Sequence, residues 1–281
     1  MISGSLLIDK KIGVTSRDEV NHISFLLKEK KAGHVGTLDP FASGLLIILL
    51  GKSTKIAPFL ETMDKTYLAS LKLGQKTLTG DLTGEVIEEK EVLSLSKEYI
   101  KETFESFLGE SEQLPPMYSA IKVDGKELYK YAREGKEIER KKRKIFVHSI
   151  ELLSYENNEI TFIAKVSKGT YIRTLGEDIA NRLGSIGHLT NLTRIAIGPY
   201  SLKNAKKSDE VTIDDLISNE IMLKHLPSYQ VEGELLKKAL NGMHFRLPID
   251  ANLVALKDKE GIIAIYERLP NGVYSPKRGL R

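Results

Sequence analysis

Between Gly33 and Gly44 the chain sets one carboxylate, Asp39, in a segment suited to turning: Gly33-His34-Val35-Gly36-Thr37-Leu38-Asp39-Pro40-Phe41-Ala42-Ser43-Gly44. Glycines on either side let the backbone bend tightly and approach a large ligand. Pro40 stiffens the following step and biases Asp39 away from helical geometry. A carboxylate held this way can stand at a fixed height above a cleft and act as a nucleophile. The same spacing suits an Asx-turn or a helix cap, with Asp39 bonding nearby amides. Taken alone, the spacing favours that plainer reading.

Other chemistries find less support. The chain has no cysteine, so disulfides, thiolate metal sites and cysteine nucleophiles are excluded. Gly51-Lys52-Ser53 resembles the end of a phosphate-binding loop, but Leu46 stands where that motif needs its first glycine. No His-Glu-x-x-His or Gly-x-Ser-x-Gly stretch occurs, and the six histidines are scattered. No metal and no cofactor is expected. The net charge is only +4, yet residues 122–144 hold Lys122, Lys126, Lys130, Arg133, Lys136 and the run Arg140 to Lys144. That stretch predicts a local positive surface able to attract polyanions, or else a solvated basic loop. The longest apolar run, Leu45–Leu50, is far short of a membrane span, so a soluble cytoplasmic protein is expected.

The elements that must carry Asp39 follow from periodicity. Leu6 to Asp9 predicts a strand, and Ser16 with Glu19 a capping box opening a helix to about Lys28. Residues 33–44 predict a loop, and Leu45–Leu50 a buried strand or a buried helical turn. Alternation at Tyr67, Ala69, Leu71 and Leu73 predicts a strand, and Thr77 to Gly84 a polar loop. Ser96 should cap a helix ending by Gly109. Residues 145–153 and 159–166 predict two strands joined at Asn157-Asn158, followed by a helix with Leu175, Ile179 and Leu183 that stops at Gly184. Strands without regular crossover helices imply an α+β fold with a mixed, largely antiparallel sheet. With 281 residues and 41% hydrophobic content, two domains are expected: 1–224, and a small one over 225–281 with a helix at 234–241 and short strands at 254–256 and 262–266.

The segment around Asp39 resembles the Gly-His-x-Gly-Thr-Leu-Asp-Pro-x-Ala-x-Gly-x-Leu signature of the TruB family of pseudouridine synthases. Further segments agree in order. They are Lys10-Lys11-Ile12-Gly13-Val14-Thr15-Ser16, Asp64-Lys65-Thr66-Tyr67, Leu73 to Asp81, Gln113 to Lys122, Tyr129 to Gly135 and Val166 to Leu175. Lys11 replaces a usual proline, and Ser167 a cysteine common among relatives. The resemblance is strong over residues 6 to about 200. Beyond 225 it suggests a small RNA-binding domain of the PUA-like kind.

This resemblance implies an enzyme that isomerises uridine to pseudouridine at position 55 in the T loop of tRNA, without cofactor or metal. It implies Asp39 as nucleophile, Arg173 as the guanidinium beside it, and Tyr67 as the residue stacking on a flipped-out uracil. Tyr171, His34, Lys168, Leu192 and Lys10 are the implied substrate contacts. Residues 116–144 are similar to the family's RNA-clasping insertion, gripping phosphates of the T arm. A monomer with tRNA as partner and no membrane association is expected. Without the resemblance, Arg173 would be read as a helix arginine facing water, and the tyrosines as half-buried sheet residues. A non-catalytic tRNA-binding protein or folding chaperone, and a guide-RNA-dependent synthase acting on ribosomal RNA, are the competing readings.

Overall fold

The computed structural model describes residues 2–281. The apolar run Leu6-Leu7-Ile8 lies in β1 (Gly4–Lys10), which leads through a turn at Gly13 into α1 (Ser16–Leu26). The capping box lies one residue earlier than the sequence suggests. Thr15 is the N-cap and Asp18 its partner, both side chain and backbone engaged. Ser16, released from that duty, donates to the Leu38 carbonyl (3.1 Å) and accepts from the Leu38 amide (2.9 Å).

The expected loop over 33–44 is shorter than predicted, because its flanks pair: β2 (Ala32–Val35) and β3 (Ser43–Leu50) run antiparallel. β3 is a strand, and its unbroken apolar run follows from burial of both faces, as in a strand sandwiched between layers. Leu46, Ile48 and Leu50 meet Val20 and Ile23 of α1; Leu45, Ile47 and Leu49 meet a second apolar layer. A short helix α2 (Ala57–Glu61) then precedes β4 (Lys65–Leu73), whose alternation appears as predicted.

A small hairpin, β5 (Gln75–Thr77) with β6 (Val86–Glu89), is followed by α3 (Lys97–Glu105), capped by Ser96, and β7 (Gly109–Gln113). Residues 116–144 contain the two-residue strands β8 (Lys122–Val123) and β9 (Lys126–Glu127) and the helix α4 (Leu128–Arg133). β10 (Arg143–Glu156) is longer than expected and pairs with β11 (Glu159–Val166) around Asn157 and Asn158, both at positive φ. α5 (Ile172–Arg182) lays Leu175, Ile179 and Leu183 on the sheet beside Ile100 and Phe104 of α3.

β12 (Gly187–Ile197) is central, and no periodicity announced it. Two bulges, at Leu189/Asn191 and Arg194/Ala196, break its alternation. With β13 (Tyr200–Ser201) it completes a nine-stranded sheet in the order β1-β3-β12-β4-β11-β10-β7, with β2 on β3 and β13 on β12. Within this sheet, among the described residues, the β3–β12 pairing alone is parallel. After α6 (Asn219–Met222) come β14 (Ser228–Gln230), α7 (Gly233–Leu240), β15 (Leu253–Asp258), β16 (Gly261–Arg268) and β17 (Tyr274–Gly279), forming a separate four-stranded sheet. The fold is thus α+β, with a largely antiparallel main sheet and a C-terminal sheet domain. Among the described residues no helix is long and apolar enough to cross a membrane.

Candidate active site

The residues from 36 to 42 connect β2 to β3 and are held on both sides of Asp39. Ser16 fixes Leu38 by the paired bonds described above, and the Gly13 amide donates to the Pro40 carbonyl (2.8 Å). Asp39 and Ala42 close a turn, with the Ala42 amide on the Asp39 carbonyl (3.1 Å). The Asp39 carboxylate is therefore presented by a pinned loop. It does not cap a helix. Its partner is Arg173 in the first turn of α5, with Nε 2.9 Å from Oδ2.

Arg173 is 3% exposed, so the solvent-facing reading of it is wrong. Three acceptors orient its guanidinium: Nη1 donates to the Thr79 carbonyl (2.7 Å), Nη2 to the Tyr118 carbonyl (2.7 Å), and Asp81 lies 3.7 Å from Nη1. Asp81 is buried and is itself held by the Thr79 hydroxyl (2.8 Å), the Thr83 amide (3.0 Å) and the Thr83 hydroxyl (2.5 Å). Asp81 lies within the Leu73 to Asp81 segment and is a site residue that the sequence expectations do not include. Its signal was the Thr-x-Asp-x-Thr spacing, which lets flanking hydroxyls fix a carboxylate.

Electrostatics at Asp39 pull in opposite directions. Burial pushes its carboxyl up from the ordinary value; the Arg173 guanidinium opposes this by favouring the charged form, and the negative Asp81 adds to the rise. A fixed guanidinium on a partly desolvated carboxylate is the arrangement that keeps a nucleophile oriented while leaving it poorly hydrated.

Two cavities meet at this pair. One, of about 640 Å³, is lined by His34, Thr15, Arg17, Asp81, Tyr129 and Arg133 as well as Asp39. The other, of about 700 Å³, contains Tyr67, Tyr171, Leu192, Lys168, Lys65 and Arg194 around the same aspartate. Tyr67 on β4 and Leu192 on β12, diagonal across the paired strands, are both largely covered. Tyr171 precedes α5 and is fixed through its backbone by Gln113: its amide donates to Oε1 (2.8 Å) and its carbonyl accepts from Nε2 (3.1 Å). Burial pushes the Tyr171 phenol up, opposed by the neighbouring Ser119 hydroxyl. Lys168 is exposed at the rim.

His34 lies in the first cavity with Nδ1 buried and unpartnered. Burial, with the charges of Arg17 and Arg194, holds its imidazole down at about 4. Lys10 departs from the expected contact role. It is fully buried, and its ammonium is taken up by the carbonyls of Lys11 (2.9 Å) and Val14 (2.8 Å), so it braces the loop beside Asp39 and does not face the cleft. The basic insertion is also more neutralised than its composition suggests. Lys122 and Lys130 pair with Glu127, Lys126 and Lys136 with Glu134, Arg140 with Glu137, and Lys144 with Glu110. Lys141 and Lys142 have no such partner among the described residues. Tyr129 and Arg133 of α4, with the guanidinium 5.5 Å from the ring centroid, form part of the first cavity's wall.

The profile of the TruB family pseudouridylate synthase N-terminal domain matches residues 25–172. A protein of Bacillus pumilus named tRNA pseudouridine synthase B is 41% identical over 278 residues, spanning 94% of this chain and 90% of that one. Its namesake in Oenococcus oeni is 41% identical over 296 residues, spanning 100% and 98%. Among solved structures, one of a Cbf5-Nop10-Gar1 complex superposes with a TM-score of 0.77 at 23% identity, covering 99% of this chain and 85% of that chain, a likeness of fold.

Proposed function

The chain belongs to the TruB family of pseudouridylate synthases, and from that premise we propose that it converts the uridine at position 55 of the tRNA T loop to pseudouridine, with Asp39 as nucleophile. The reaction breaks the bond from ribose C1′ to ring N1 and forms one from C1′ to ring C5. The C5 hydrogen leaves as a proton and N1 gains one, so atoms balance and no redox partner is needed. The observation carrying the assignment is the Asp39–Arg173 pair, at 2.9 Å, where two cavities meet.

The chamber beside Tyr67, Tyr171 and Leu192 suits a uracil taken out of its stack, an easier event in a loop than in a duplex. Tyr67 would stack on it. Asp39 would attack C1′ or the ring, or take a proton from the sugar, while Arg173 holds the carboxylate in line. His34, in the adjoining cavity, would occupy space vacated by extruded bases. Tyr129, Arg133, Lys141 and Lys142 of the insertion, Lys168 at the rim, and residues 225–281 as a PUA-like domain would hold the RNA, mainly through its phosphates.

Incubation with an unmodified tRNA transcript, followed by chemical mapping of pseudouridine, tests the reading. Product at position 55 is expected, and Asp39→Asn should bind the transcript with wild-type affinity and form none. Turnover by Asp39→Asn would remove the nucleophile assignment. Tight binding without product by the wild type would favour a binding protein or folding chaperone.

A further inference from the structure

Two buried cations stand in the Tyr67 chamber with no carboxylate against either. Arg194 is 1% exposed and Lys65 7%. Lys65 Nζ donates to the carbonyls of Glu61 and Met63, both at 2.6 Å. Arg194 Nε donates to the Leu45 carbonyl (2.8 Å) and Nη2 to the Gly36 carbonyl (2.9 Å). Carbonyls satisfy donors but leave the charge uncompensated, an unfavourable state for groups withdrawn from water. Burial and the Arg194 charge hold the Lys65 ammonium down to about 8. Lys168 acts in the same direction, while Glu61 and Asp64 oppose it without contact.

The backbone leaves room where these cations converge. Gly36 has φ +68°, and a Cβ there would lie 3.3 Å from Arg194 Nη1 and 3.9 Å from Lys65 Cε. Lys65 is two residues from Tyr67 on β4, hence on the same face, and Arg194 is Tyr67's cross-strand partner on β12. The positively charged notch therefore sits beside the ring assigned to the flipped uracil. Lysine has three N–H donors, of which two are used here; Arg194 Nη1 is likewise uncommitted to a protein acceptor.

We infer that the notch formed by Lys65, Arg194 and Gly36 is a subsite for an RNA phosphodiester flanking the target uridine. The inference rests on the chamber being the uridine site. One negative charge and two accepting oxygens fit a lysine donor and an arginine donor side by side, and neutralise what the protein leaves open. Held there, the backbone would fix the ribose over Asp39 without reading sequence. Lys65 and Arg194 are thus positioning residues. If instead they only cap α2 and brace the Asp39 loop, their replacement would lower stability and nothing more.

The test uses T-arm hairpin RNA carrying a neutral methylphosphonate on the 5′ or the 3′ side of the target uridine, with binding measured for the whole protein and for Lys65→Met. One of the two methylphosphonates should weaken wild-type binding by about tenfold. Lys65→Met should weaken binding of unmodified RNA similarly and be indifferent to the same methylphosphonate, while Lys65→Arg restores the sensitivity. Losses that multiply in Lys65→Met, or a wild type indifferent to both modified RNAs, would overturn the subsite, and the second result needs no variant to fold. In a separate arm, inorganic phosphate is titrated while the Lys65 side-chain NMR signal is followed in wild type. An upward move of its titration midpoint from about 8, with no pseudouridine formed on tRNA, would keep the anion site and discard the function. Product on tRNA without methylphosphonate coupling would do the reverse.

Discussion

Asp39 is governed by what lies behind it. Arg173 makes contacts to Asp39, Asp81, Thr79 and Tyr118, so removing its guanidinium frees the Asp39 side chain and leaves two carboxylates without their cation. Arg173→Ala should lower single-turnover pseudouridine formation by at least about a hundredfold, the range for losing one preorganised charge-stabilising group, with RNA binding retained. A wild-type rate would place Arg173 outside the chemistry. His34 offers a pH signature. Its imidazole is held down at about 4 against an ordinary 6.5, so between those values the unfolded chain binds more protons. Stability contributed by keeping it neutral is full above about 6.5 and lost as pH falls towards 4. After allowance for partial exposure, His34→Gln should remove about 1 kcal/mol of the destabilisation seen between pH 7 and pH 5 in urea unfolding. An unchanged difference between the two pH values would sink that account. The loop around Asp39 was legible because glycine, proline and aspartate act locally. The fate of Lys10 was not, since only tertiary packing turns its ammonium onto the carbonyls of Lys11 and Val14.

At the scale of elements, α5 must start where Arg173 reaches Asp39, and its start is set from outside. Gln113, at the end of β7 and 3% exposed, binds both the amide and the carbonyl of Tyr171. Gln113→Ala would leave the Tyr171 amide without a partner and its carbonyl with the Leu175 amide alone, costing on the order of 1–3 kcal/mol of stability. We expect a several-fold fall in kcat with KM nearly constant, checked by denaturant unfolding alongside steady-state kinetics; a selective rise in KM would speak against the clamp. Strands with clean alternation, β4 and β11, were visible in sequence, and helices α3 and α5 announced themselves by caps and apolar spacing. β12 was not, because its bulges at Leu189/Asn191 and Arg194/Ala196 shift the inward face twice. With it went Arg194, a buried cation of the site. Ser16 with Glu19 has the residue types of a capping box, but the Leu38 backbone recruits Ser16 and the cap passes to Thr15 with Asp18, a tertiary contact that local sequence does not carry.

Across the whole molecule, charge is concentrated less than composition implies, since most of the insertion's lysines face glutamates. The uncompensated pair Lys141 and Lys142 is the better probe of RNA contact. Reversing both charges should weaken tRNA binding and reduce the slope of log affinity against log salt by about 1 to 2. A slope equal to wild type would take this pair of lysines out of the interface. The C-terminal sheet is joined to the rest by shared core: Ile265 and Leu280 pack in the same cluster as Leu45, Ile47 and Leu49 of β3, the strand that leads out of the Asp39 loop. Greasy contact of this sort welds the tail to the strand that continues from the Asp39 loop. The two sheets should then melt together in a single step, and loosening the tail would be felt at the carboxylate as a change in its footing, long before the tail itself came undone.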